Sequence, residues 1–66
     1  MREWIVEGEK LVEETTTLSH LVLKEGAKLV APEGKFVQLT VDGAGREQKA
    51  GDYYGEIVLT VAELYH

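Results

Sequence analysis

The chain has 66 residues, and a domain of that size buries only about 60% of the surface its unfolded chain exposes, so the core is small and a second copy is the expected staple. With no cysteine, a disulfide framework and a cysteine-ligated zinc site are excluded. Twelve Asp and Glu against seven Lys and Arg give a net charge of −5, and the basic residues are interleaved with glutamates, which argues against nucleic acid as a partner.

No apolar run reaches the roughly 18 residues of a membrane span. Met1-Arg2-Glu3-Trp4 does not open like a signal peptide, because Glu3, Glu7 and Glu9 interrupt any apolar stretch. The chain reads as soluble, with its compartment unassigned.

In chain order, Arg2–Glu14 is ambiguous between helix and strand. Trp4, Ile5, Leu11 and Val12 fit one side of a short helix, whereas Gly8 and the β-branched Ile5-Val6 pair oppose it. Repetition favours strand: Glu7-Gly8-Glu9-Lys10-Leu11-Val12 returns eighteen residues later as Glu25-Gly26-Ala27-Lys28-Leu29-Val30. A period near 20 suggests stacked strand units that bury an apolar row on one another.

The same offset aligns Leu21 with Leu39 and Ile57, and Leu23 with Val41 and Leu59. Leu21/Leu23, Val37/Leu39/Val41 and Ile57/Leu59/Val61 alternate at period two and point to one face. Lys24 and Asp42 then become an opposite-charge pair on neighbouring rungs, while Lys10, Lys28 and Arg46 line up as like charges. The expected fold class is all-β, a short β-solenoid-like stack of about three 18-residue units. The alternative is a small antiparallel β-sandwich or meander. Ala31-Pro32-Glu33-Gly34 suits a type I turn with a bulge that would fold 28–31 back on 35–41 as a hairpin.

One small β domain spans 1–66, with 1–16 a cap or edge segment, 17–61 the strand core and 43–52 a mobile surface loop. Within that loop, three glycines and the basic Arg46 and Lys49 invite a phosphate-cradle reading, but Lys49 runs into Ala50-Gly51 and a strand where a P-loop needs a helix. Ser19, His20 and an acid, Asp42 or Glu25, can be written as a catalytic set, yet Ser19 lies in a strand pattern with no sharp glycine turn. His20 and His66 lack a third metal ligand at suitable spacing, and Glu3, Glu7, Glu9, Glu13 and Glu14 lack a calcium-loop pattern. The expectation is therefore no enzyme, no metal and no cofactor. The aromatic residues Trp4, Tyr53, Tyr54 and Tyr65 are the candidate partner or ligand contacts, for a protein or a glycan.

Thr17–Gly43, with its Glu25-Gly26-Ala27 turn, Ala31–Lys35 corner and Thr40–Gly43 exit, and the later Gly51–Val61 resemble the leading coils of secreted bacterial parallel β-helix, adhesin-like proteins. The resemblance implies an extracellular, repeat-built scaffold with no catalytic residues to carry over. Taken together, the expected function is a non-catalytic structural or protein-interaction module that self-associates into a homo-oligomer through strand edges and aromatic surface. The alternative is a small carbohydrate- or ligand-binding domain.

Overall fold

The computed structural model describes residues 2–64, and every regular element among them is a strand. These are β1 (Glu3–Val6), β2 (Glu9–Leu11), β3 (Thr16–Leu23), β4 (Lys28–Val30), β5 (Lys35–Val41), β6 (Ala44–Arg46) and β7 (Gly51–Glu63). Five form a mixed sheet in the order β1-β3-β7-β5-β6, and β2 and β4 form a second, two-stranded sheet. The chain is all-β.

The first two sequence units stack in parallel. β1 pairs with β3 at an offset of 17 (Glu3 opposite His20), and β2 pairs with β4 at an offset of 19 (Glu9 opposite Lys28). The uneven split around eighteen has an electrostatic consequence. Lys28 faces Glu9 and Lys10 faces Leu29, so the expected column of like charges does not form. Between the strands, the repeated Glu-Gly pair turns the corner. Ala27 N–H donates to Lys24 O at 2.9 Å, with Gly26 at φ 80°, a backbone setting that costs a side-chain-bearing residue strain.

The third unit does not continue the stack. β7 lies between β3 and β5 and runs antiparallel to both, so Leu39 faces Leu59, and Ile57 sits between Leu18 and Val41. Leu21, Leu39 and Ile57 do share one interior, but not as successive rungs. Nor do Lys24 and Asp42 become rung neighbours: Asp42 is held at β7, where its Oδ1 accepts Glu56 N–H at 2.9 Å. The hairpin of 28–31 on 35–41 is absent as well, since β4 pairs with β2. Its turn falls one residue later than expected, with Lys35 N–H donating to Pro32 O at 3.0 Å.

Chain reversal comes instead at Asp42-Gly43, the two-residue turn of the β5–β6 hairpin, and β6 therefore occupies part of the expected 43–52 loop. What remains of that loop is tied down. Tyr53 Oη donates to Lys49 O at 2.7 Å and accepts Lys49 N–H, and Gln48 Oε1 accepts Leu29 N–H at 3.0 Å.

Along β3 the alternation slips between Leu18 and His20, where Arg2 O accepts both Ser19 N–H and His20 N–H. Across from Ser19, β7 contributes two residues, Gly55 and Glu56. The irregularity lets Leu18 and Leu21 both point inward although they are three residues apart, so Leu18 joins the core despite falling outside the period-two pattern. Gly55 is required here by space: a Cβ would lie 2.8 Å from the Asp42 carboxylate.

The core is Val6, Val12, Leu18, Leu21, Leu23, Leu29, Leu39, Ile57 and Leu59, with Trp4, Ala27, Val37, Val41, Tyr53 and Val61 packed around it. Leu59 is fully buried, whereas Ile5 is 62% exposed. Leu59→Ala is expected to destabilise the fold by about 2–5 kcal/mol, and Ile5→Ala by no more than about 0.5 kcal/mol. Urea unfolding followed by circular dichroism compares the two.

Candidate functional site

The site is an edge. Arg2 O and Val6 O both accept N–H groups from the β3 side, from Ser19 and from Lys24. Since backbone groups alternate along a strand, the N–H and C=O of Glu3 and Ile5 point away from the sheet. In the second sheet, Gly8 O accepts Lys28 N–H, and Val12 N–H donates to Val30 O at 2.7 Å. The same alternation turns the backbone groups of Glu9 and Leu11 outward. One side of the molecule thus presents two short strands whose outer edges pair with no strand among the described residues, joined at the Glu7-Gly8 corner.

Each edge strand also carries an exposed aliphatic side chain. Ile5 continues the row begun by Val22, and Leu11 the row begun by Val30. Val22 and Val30 are half-buried, whereas Ile5 and Leu11 are 62% and 51% exposed, because no strand stacks beyond them. Within the sequence, Ile5 and Leu11 fit one side of a short helix, and the repeat decides for strand without placing them at an edge. The usable signal was their register with Val22 and Val30, which only the offsets of 17 and 19 reveal.

The candidate aromatic residues do not converge. Trp4 points inward from β1, with Lys10 Nζ 4.9 Å from its ring centroid, and lines an open cleft of about 530 Å³ with Lys10, Leu11, Glu13 and Glu14. Tyr53 also packs on the inner side, its hydroxyl holding the 47–49 backbone. Tyr54 faces outward on the opposite side of the sheet. Tyr65 lies outside the described residues.

Tyr54 belongs to a polar row that crosses three strands. Glu3 faces His20 and His20 faces Tyr54. The His20 and Tyr54 rings stack with centroids 4.3 Å apart and 12° between planes. His20 Nδ1 meets Glu3 Oε2 at 2.5 Å, so Nδ1 carries a proton toward the carboxylate, while Nε2 is buried without a partner among the described residues. Tyr54 Oη donates to Asp52 Oδ2 at 3.3 Å. The Asp52 charge holds the Tyr54 phenol above its ordinary pKa, with desolvation, that hydrogen bond and Glu3 acting in the same direction.

None of the written-down catalytic sets assembles. Ser19 Oγ donates to Arg2 O at 2.9 Å, His20 pairs with Glu3, and Asp42 serves Glu56, so the three are engaged separately. His66 lies outside the described residues. Among the described residues no three His, Cys, Asp or Glu side chains gather as metal ligands, and no helix is long and apolar enough to cross a membrane. Arg46 and Lys49 flank a strand and a tied loop, not a helix N-terminus. No protein-family model, no curated protein and no solved structure matches the chain.

The Tyr54 environment gives a pH test. The Asp52 carboxylate favours the neutral phenol in the folded state, so this contribution to stability is present below the unfolded-state pKa and is lost as pH rises through the higher folded value. Titration of the tyrosine Cζ resonances by NMR should show Tyr54 ionising above pH 10.0. Asp52→Asn should bring its midpoint down; an unchanged midpoint would remove Asp52 as the cause.

Proposed function

We propose that this chain is a non-catalytic structural and protein-interaction module that self-associates through strand edges. The observation that carries the reading is the pair of unpaired edges at β1 and β2, each bearing an exposed aliphatic residue, Ile5 and Leu11. Exposed strand edges pair with other strands unless something blunts them, and an edge that also exposes apolar side chains gains burial when it does. The small core supports the same reading, because a further copy would extend it.

Two parallel strand pairs joined at glycine corners are the geometry of β-solenoid coils, and they support a solenoid-like N-terminal half akin to the leading coils of secreted β-helix proteins. On that resemblance the module would work outside the cell. Tyr54, stacked on His20 at the sheet surface, is the aromatic contact best placed to contribute. The carbohydrate-binding alternative needs a shared aromatic platform, and Trp4, Tyr53 and Tyr54 do not build one.

Light scattering coupled to size exclusion over a hundredfold range of protein concentration tests the proposal. Mass should rise with concentration, and Ile5→Lys with Leu11→Lys should return it to the monomer value. A folded monomer at every concentration would remove the reading.

A further inference from the structure

The two ends of the five-stranded sheet differ in charge, in exposed apolar surface and in how their edges are closed. At the β1 end, Arg2–Glu14 carries five acidic side chains against two basic ones. At the opposite end, Ala44–Lys49 carries Arg46 and Lys49 against Glu47. There β6 pairs with β5 only over Leu39–Val41, which leaves the stretch from Lys35 to Gln38 as a second free edge, its Lys35 opposite Glu63 on β7. Phe36 on that stretch is 39% exposed and alternates with the inward Val37, so it shares the outer face with Ile5.

Resting on the self-association reading, we propose that the occupant of the β1 edge is the β5–β6 end of a second copy, in a head-to-tail contact that does not close on itself. β3 and β5 are both antiparallel to β7 and so run in one direction. A β1 strand from a copy in the same orientation therefore runs parallel to β5, as it already does to β3. With the outward Ile5 opposite the outward Phe36, Trp4–Val6 lies along Lys35–Val37, inside the stretch that β6 leaves unpaired. Ile5 then meets Phe36 on the outer face, and the acidic end meets Arg46 and Lys49.

The symmetric alternative, β1 against β1, brings two acidic ends together, and like-charge juxtaposition opposes it. Growth through the second sheet is blocked at β4, whose Leu29 N–H is already taken by Gln48. The head-to-tail contact thus runs through the larger sheet alone.

Two variants separate the arrangements. Ile5→Lys disables the head, and Arg46→Glu with Lys49→Glu reverses the tail, all at exposed positions. In sedimentation velocity at low salt, each variant alone should associate at least about tenfold more weakly than the parent chain. An equimolar mixture should form a one-to-one dimer through the intact tail of one and the intact head of the other. The parent chain should build longer species, weakened about tenfold between low and high salt as the attraction is screened.

If the tail-reversed variant dimerises as well as the parent and the mixture gives no mixed dimer, the head-to-tail contact is wrong while self-association stands. A parent chain that stays monomeric removes both. Circular dichroism melts establish that the variants fold, and Glu7→Lys with Glu9→Lys, also exposed, replaces Ile5→Lys if that change unfolds the chain.

Discussion

β7 is the strand on which the rest of the molecule depends, because it hydrogen-bonds along both edges and joins two halves that do not otherwise share a sheet. On one side it pairs with β3, and through β3 with the parallel β1; on the other it pairs with β5 and its hairpin. Its inward residues Ile57 and Leu59 are fully buried between those halves, where they face Leu18, Leu39 and Val41. A chain of this size reaches a closed interior only if one strand serves both neighbours, since hydrophobic burial scales with the area removed from water.

The parallel pairing ends where the repeat loses apolar residues. Eighteen residues after Leu29-Val30 the sequence has Glu47-Gln48, which cannot lay an apolar row on β4. Gln48 instead satisfies the Leu29 N–H with its side-chain oxygen, so a cap stands where a strand would be. Tyr53 then fixes the loop that carries Gln48. The same stretch holds the Asp42-Gly43 reversal, which sends the chain back and makes an antiparallel β7 the next available partner.

This closure is one-sided. The far edges of β3 and β4 are finished by β7 and Gln48, whereas the outer edges of β1 and β2 have neither among the described residues, and the aliphatic rows stop in solvent at Ile5 and Leu11. The asymmetry gives the molecule a direction along its sheet, acidic at one end and richer in cations at the other. Ser19, His20 and Asp42 each satisfy a structural partner.

Sequence alone was sufficient for the all-β class and for the inward set of Leu21, Leu23, Leu39, Ile57 and Leu59, because period-two alternation is a local signal; the repeated Glu-Gly corner was legible too, but it left parallel and antiparallel pairing both open. Leu18 escaped it because a slip in strand pairing leaves no local mark. Trp4, Tyr53 and Tyr54 were visible as residue types, but which side of the sheet each occupies depends on that slip and on register. Strand order, the antiparallel entry of β7 and the exposed edge at Ile5 and Leu11 were decided by tertiary structure. Each is a choice among partners distant in the chain, and hydrogen bonds to any of them would satisfy the same backbone.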